Sequence, residues 1–498
     1  MTLSASLRPT DVSRAAPTTA GLDGPVPLTC PSCRDALAFT ATPDPSFDGT
    51  FGVLICGCSE YPVLDGIPVL RRGRVDVQEH ATGRTEVAGP VFAELVALLR
   101  DGRGAEALVA MLAFPPRSPS RRGLRFLARR TPAARLALAA RRAEVRAMLD
   151  DVDALTAQDW MELAYLRSSE RIDREMFGYF FVRYGQPRYL ASISLLRALP
   201  VSDAPVLDLA CGFGHTMYHL AARERPVRTV GVDRNFFQLW VGRRYIAPGQ
   251  TFVCADRVDA LPFGDDVFAA STCTDAFHYF DDQQGAMDEL RRVARADTVL
   301  VDRVGNRAME PRDAVGERDA AGYVSLLRGA PWRMTSEDEV VRDYHDGHGP
   351  RLAARRHPAE LGRSKWLALF SSRDTSLFVD HGVFDAPPHA AGALGVNPVY
   401  AVRRDGDDVV LAFSFPSTWY AFENAAMLGY TSPGERLDAD EFEALVAGVA
   451  GPGHVDRFVS LGLPPRYARR PGSALRSSVP AGLAIGARHA LRRRSLRS

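Results

Sequence analysis

The chain has 498 residues, is 46% hydrophobic and 24% charged, and carries 61 basic against 60 acidic side chains for a net charge of +1. That length predicts roughly two to four domains, and the composition is that of a globular protein with ample core. No run of about 18 apolar residues occurs, which excludes a transmembrane helix; residues 1–27 lack the basic start and apolar centre of a secretory signal and read as a Ser/Thr/Ala/Pro-rich disordered leader of a cytoplasmic protein.

After the leader, residues 28–75 read as a compact β module. Tyr61-Pro-Val-Leu-Asp65-Gly66-Ile-Pro-Val-Leu70 predicts two short apolar strands around an Asp-Gly turn. Four of the seven cysteines fall in this module, as Cys30-Pro-Ser-Cys33 and Cys56-Gly-Cys58. Four thiolates can hold one tetrahedral zinc, although the one-residue spacer of the second pair departs from the usual two. A redox Cys-x-x-Cys is the other reading, and the lack of a β-α-β context stands against it. Cys211, Cys254 and Cys273 lie in apolar runs and are expected as buried, reduced thiols.

Residues 85–199 read as a helical region. The stretches at 92–99 and 160–165 place apolar residues three and four apart, Pro115, Pro116, Pro119 and Gly123 break helices, and a further helix is predicted over 187–199. Residues 117–146 hold ten Arg and one acid, and residues 466–498 hold nine Arg and no acid; each zone carries +9, so the remainder carries −17. Lys365 is the chain's one lysine, a bias that reads as codon preference and weakens any functional reading of Arg counts. A basic face can steer RNA or anionic lipid. Arg125, Arg129, Arg135 and Arg142, interleaved with Leu124, Phe126, Leu127 and Leu136, also fit a solvated amphipathic helix, which is the preferred reading.

From Pro205 the pattern alternates. Apolar runs at 206–209, 229–232, 251–254, 268–274 and 299–301 predict five buried parallel strands, with helices over 215–222, 236–245 and 283–293. The alternation predicts a doubly wound α/β sheet. Further on, Thr335 reads as a helix cap with Asp338 and Glu339 in the first turn, 399–402 and 409–415 as a hairpin around Arg404-Asp405-Gly406-Asp407, 438–447 as an amphipathic helix, and 466–498 as a flexible basic tail. No internal repeat is present.

The sharpest signal is Val206-Leu-Asp208-Leu-Ala210-Cys-Gly212-Phe-Gly214-His215: an apolar strand, an acid, and a small-residue turn into a helix. Such a turn lets the backbone approach a ligand, and the helix start offers free N–H groups to an anion. Asp208 can order the loop or face a cationic amine. The third glycine of a dinucleotide fingerprint is replaced here by Met217.

Asp208-x-Ala-x-Gly-x-Gly resembles the first motif of the Rossmann-like, class I S-adenosylmethionine-dependent methyltransferases, with Ala210 in place of the usual first glycine. Gly231-Val-Asp233, Cys254-Ala-Asp256, Leu261-Pro-Phe263, Asp275-Ala-Phe-His278 and Glu289-Leu-Arg-Arg292-Val293 follow in that family's order over roughly residues 200–305. The Asp after Phe268 and the Pro-Gly-Gly before the fifth strand are missing. The resemblance implies S-adenosylmethionine as cofactor, held by Asp208, Ala210, Gly212, Gly214, Asp233 on the ribose hydroxyls and Asp256 on the adenine amine. The run Cys58-Ser-Glu-Tyr61-Pro-Val-Leu-Asp65-Gly66-Ile-Pro68 resembles the small zinc-ribbon activator subunits of RNA and release-factor methyltransferases, which implies zinc on Cys30, Cys33, Cys56 and Cys58. A zinc module ahead of the core is also the arrangement of rRNA guanine methyltransferases. The fold expected is a Rossmann-like α/β methyltransferase sheet with an N-terminal β zinc ribbon, a helical linker region and a mixed C-terminal extension over 306–465 that completes the core and recognises the acceptor.

His278 and Asp275, at the end of the fourth strand where open α/β sheets bind ligands, are the candidate catalytic bases; lining the pocket is the plainer role for His278. Tyr179, Arg183 and Arg188 are candidates to cover the cofactor carboxylate or form a lid, with helix packing the alternative. Trp332, Trp366, Phe413, Trp419 and Tyr420 read as core. Three functions follow: transfer to a small-molecule acceptor, which is preferred; transfer to RNA or protein, using the ribbon and the Arg zones; or a binding module that has kept the fold. The acceptor atom and the oligomeric state are not legible in the sequence.

Overall fold

A computed structural model describes residues 24–79, 83–114, 131–166, 171–309 and 316–471. Most of the expected leader, the Arg-rich segment 115–130 and the end of the expected tail lie outside the described residues. Among them no helix is long and apolar enough to cross a membrane.

The first module is an antiparallel sheet in the order β1 (Ala38–Ala41), β2 (Gly52–Ile55), β3 (Glu60–Leu64) and β4 (Ile67–Pro68). Asp65 (φ 47°) and Gly66 (φ 75°) make the β3–β4 turn, both in the left-handed region that a two-residue hairpin loop requires. Asp65 is 2% exposed, and its carboxylate accepts from Trp240 Nε1 at 2.8 Å and lies 3.5 Å from Arg244, so the turn is anchored on helix Phe236–Val241 and the residues just after it. A hairpin of β5 (Arg74–Glu79) and β6 (Gly83–Val91) comes next. Residues 85–91 are therefore strand, and the helical stretch begins at Phe92. It runs through helices Phe92–Arg100, Gly104–Leu112, Pro132–Asp150, Ala157–Met161, Arg171–Phe181 and Pro187–Leu195.

The main sheet contains β7 (Val206–Leu209), β8 (Thr229–Asp233), β9 (Thr251–Cys254), β10 (Ala270–Thr274), β11 (Val299–Gly305), β12 (Trp332–Ser336) and β13 (Trp366–Ser371). Its order is β12-β13-β11-β10-β7-β8-β9, with β7 to β11 parallel and β13 antiparallel to both neighbours. Chain order reverses between β7 and β10, which opens a crevice at their carboxyl ends. The first module extends this sheet: Val69 bridges Cys254 in parallel and Leu70 N–H donates to the Cys254 carbonyl at 2.8 Å, covering the edge of β9.

The C-terminal extension pairs β14 (Leu394–Val396) with β18 (Ser460–Gly462) and forms a second sheet from β15 (Tyr400–Asp405), β16 (Asp408–Phe413) and β17 (Gly434–Leu437). One apolar cluster runs from Phe51 and Val53 through Leu95, Trp160 and Trp240 to Tyr400 and Tyr467, so these segments share a core.

Two local expectations are corrected. Thr335 lies inside β12, and the cap is Ser336, whose hydroxyl accepts from Glu339 N–H at the start of helix Glu337–His345. The basic tail does not begin at Arg466. Arg466 donates to the Val152 and Leu155 carbonyls, Tyr467 is fully buried, and Arg469 pairs with Asp159 and Glu162; opposite charges 300 residues earlier hold what composition reads as solvated.

Candidate active site at the carboxyl ends of the parallel strands

The turn after β7 takes three left-handed residues, Ala210 (φ 61°), Gly212 (φ 55°) and Gly214 (φ 76°). An alanine at the first is strained by about 1 kcal/mol relative to glycine, and the turn still closes. Gly212 N–H donates to Asp233 Oδ2 at 3.1 Å and Asn235 N–H to Oδ1 at 2.8 Å. The turn that opens the crevice thus also aims the acid at the end of β8. Burial raises the Asp233 carboxyl above its usual range, partly offset by these two N–H donors.

Asp208 is 3% exposed and takes hydrogen bonds from Thr216 Oγ1 at 2.5 Å and Thr272 Oγ1 at 3.3 Å. Of its two expected roles it fills the loop-ordering one, tying β7 to the next helix and to β10. Asp256, just past β9, pairs with Arg71 Nε at 3.3 Å. Asp208, Asp233 and Asp256 therefore stand at the carboxyl ends of three adjacent strands, as the sequence motifs require.

Burial pushes the Asp208 carboxyl up to about 7. Between the unfolded carboxylate range near 4 and this value, the folded state holds the extra proton, so this group's contribution to stability falls as pH rises through that window. Buried His215 and His278, held low by burial, act in the opposite direction and cancel only in a difference. Relative to wild type, Asp208→Asn is expected to gain on the order of 3 kcal/mol between pH 5 and pH 8. Paired thermal melts across that range check it; a difference independent of pH would refute the assignment.

On the other side of the crevice, Asp275 (φ 56°) follows β10. It receives Arg303 Nε at 2.9 Å, a hydrogen bond from the Tyr179 hydroxyl, and Arg183 and Arg188 at 3.4 and 3.5 Å. A bulge between Val301 and Val304 puts Arg303 in a left-handed conformation (φ 51°) within β11. Arg303 also makes two bonds to Glu337, at 2.5 and 2.6 Å, and lies 4.1 Å over the Trp366 ring, while Arg188 reaches Glu423 at 3.5 Å. Burial alone would raise the Asp275 carboxyl; Arg303, Arg188 and Arg183 outweigh it and hold the group well below the usual carboxylate range. A carboxylate so held is a poor proton acceptor, and its contacts with three arginines and a tyrosine make it an ion-pair hub.

His278 sits on the turn Phe277–Tyr279, is 3% exposed, and its Nδ1 has no hydrogen-bond partner among the described residues. Burial lowers its pKa, so the ring is neutral near pH 7. Local patterning gave no sign of Arg303, Glu337, Glu423 or Arg71 as members of this region. Their partners lie far off in the chain, and only the charged first turn of the helix at Glu337 offered a hint.

In the first module, the Sγ atoms of Cys30, Cys33, Cys56 and Cys58 all lie within 4.8 Å of one another, with Cys30–Cys58 at 3.6 Å, Cys33–Cys56 at 3.7 Å and Cys56–Cys58 at 3.5 Å. A zinc tetrahedron with bonds of about 2.3 Å has edges near 3.8 Å, while a disulfide needs about 2.05 Å. The four thiols are free and their spacing fits a metal. The short Cys-Gly-Cys spacer is accommodated because Cys56 follows the last residue of β2 and the chain turns back there, Cys56 N–H donating to the Ser59 carbonyl, before β3 begins at Glu60.

An open α/β sheet with a small-residue turn and three carboxylates at its strand ends is the arrangement that the class I methyltransferase motifs call for. Residues 206–297 match the family model described as a methyltransferase domain. The chain carries a class I, Rossmann-like S-adenosylmethionine-dependent methyltransferase domain, with S-adenosylmethionine as methyl donor. No curated protein matches the sequence. Among solved structures, a chain from the complex of the Haloferax volcanii Trm112 methyltransferase activator with a methyltransferase is 18% identical, covering 40% of this chain and 96% of its own, at a TM-score of 0.30. An S-adenosylmethionine-dependent methyltransferase from Thermotoga maritima is 14% identical over 41% of this chain and 96% of its own, at 0.29. A protein from Galdieria sulphuraria described as a candidate sarcosine dimethylglycine methyltransferase is 18% identical over 38% of this chain and 85% of its own, at 0.29. The assignment rests on the matched domain and on the strand order.

Proposed function

We propose that this methyltransferase acts on a small-molecule acceptor bound at the carboxyl ends of β10 and β11. The observation that supports this is enclosure. Helix Arg171–Phe181 packs Gly178 against Pro416, Tyr179 meets Trp419, and beneath them Asp275, Arg183, Arg188 and Arg303 are all at most 12% exposed in their side chains. A polymer needs an open groove to present one atom; a roofed site selects for size. RNA or protein remains the alternative acceptor, favoured by Arg135, Arg142 and Arg146 exposed on helix Pro132–Asp150. The free thiols accord with a cytoplasmic location.

Bound S-adenosylmethionine supplies a methyl group on a sulfonium, open to in-line displacement. In this reading the Ala210–Gly214 turn and the start of helix His215–Ala221 receive its carboxylate, Asp233 accepts the ribose hydroxyls and Asp256 accepts the adenine amine. His278, neutral and with an unpartnered Nδ1, orients the acceptor and takes its proton where one must leave. The Asp275 hub fixes the roof that excludes water. Cys30, Cys33, Cys56 and Cys58 would hold a structural zinc away from the chemistry.

Asp233→Ala is expected to weaken S-adenosylmethionine binding by about 1–3 kcal/mol, because two ribose hydroxyls lose their acceptor; calorimetry showing wild-type affinity would displace the assignment of β8. Transfer of a labelled methyl group into a metabolite extract, and not into total RNA, is expected; label in RNA would reverse the acceptor proposal.

A further inference from the structure

The first module reaches into the half of the crevice assigned to adenosine. Leu70, hydrogen-bonded to the Cys254 carbonyl, brings the next residue alongside the loop that carries Asp256. Arg71 is 7% exposed. Its Nε meets Asp256 Oδ2 at 3.3 Å and its NH1 donates to the Arg234 carbonyl at 3.0 Å. Arg234 follows Asp233 directly. One guanidinium therefore ties the loop after β8 to the loop after β9, the two loops whose acids face ribose and adenine in the reading above. The Phe92 ring lies 5.8 Å from its charge centre. A planar guanidinium holds two acceptors at a fixed mutual angle, which a lysine ammonium does not.

We propose that Arg71 is a positioning residue for purine recognition: acting through Asp256 and the Arg234 carbonyl, it fixes the carboxylate that tells an amine from a carbonyl at purine C6. This rests on Asp256 as the adenine acid. A carboxylate receives the N–H of a 6-amino group, whereas a 6-oxo group presents lone pairs to it and leaves both acceptors unpaired. The discrimination depends on the carboxylate keeping its place, and a second module of the same chain keeps it there.

The test is calorimetric binding of S-adenosylhomocysteine and S-inosylhomocysteine to the full chain, as wild type and as Arg71→Met, Arg71→Lys, Asp256→Asn and Asp233→Ala. The ratio of the two affinities is the readout, because a fall in folded fraction moves both and leaves the ratio intact. Wild type is expected to prefer the adenosyl ligand, Arg71→Met to lose about tenfold of that preference, and Arg71→Lys to restore only part of it. Asp233→Ala weakens both ligands and preserves the ratio. If Asp256→Asn abolishes the preference and Arg71→Met retains it, the role of Arg71 is refuted and the Asp256 assignment stands. If Asp256→Asn leaves the preference intact, the Asp256 assignment itself fails and the proposal goes with it.

Discussion

Asp275→Ala is expected to cost about 3–5 kcal/mol of folding stability, among the largest effects of any single substitution in the sheet. The alanine leaves Arg303, Arg188 and Arg183 buried around a missing counter-ion, with side chains 4%, 5% and 12% exposed, and removes the acceptor of the Tyr179 hydroxyl. Glu337 and Glu423 remain and moderate the loss, since they already pair with Arg303 and Arg188. Asp275→Asn keeps one acceptor oxygen and the side-chain shape, and is expected to fall between alanine and wild type. Urea unfolding at pH 7 measures the series. The comparison also separates hub from base. A catalytic base replaced by its amide leaves a stable, slow enzyme, whereas a hub loses stability and rate together. His278→Gln is expected to behave as the former. An Asp275→Ala protein that unfolds at the wild-type urea midpoint would remove the hub from the account.

Purified protein is expected to carry about one equivalent of zinc, and stripping it is the second large effect. In small zinc modules the metal contributes on the order of 10–16 kcal/mol, as much as the whole stability of an ordinary domain. Here the loss spreads beyond the ribbon. The Asp65 turn is hydrogen-bonded to Trp240, the Val69–Leu70 segment covers the edge of β9, and Phe51 and Val53 belong to the shared core. Chelation, or Cys30→Ser with Cys58→Ser, is therefore expected to lower the melting temperature of the whole protein. Elemental analysis alongside differential scanning calorimetry checks it. A metal-free preparation with an unchanged melt and unchanged activity would dismiss the metal.

The sheet's first five strands were legible because parallel strands buried on both faces are written as short apolar runs, each closed by a turn. Val206–Leu209, Thr251–Cys254 and helix Gln283–Val293 fall where the pattern puts them. β12 and β13 were not placed, since strands joined to the sheet through antiparallel pairing and separated by long connections lose that alternation with helices. The strand-end places of Asp208, Asp233 and Asp256 follow from motif spacing alone. The opposite side does not: Asp275, Arg183, Arg303 and Glu423 come together across up to 240 residues, and nothing local marks an aspartate at a strand end as paired rather than free. The contact of Arg71 with Asp256 was hidden for the same reason.

Tyr467 gives this architecture a temporal order. Its hydroxyl reaches the Phe180 and Phe181 carbonyls at 2.9 and 3.0 Å and lies 3.3 Å from His215 Nε2, the first residue of the helix behind the cofactor turn. That keystone is synthesised about 160 residues after the last parallel strand. At roughly 5–20 residues per second, a nascent chain spends on the order of ten seconds or more with its nucleoside crevice built and the roof unpinned. Until then the rings of Phe181 and Tyr184, which Tyr467 stacks on and meets edge-on in the folded protein, lack that cover.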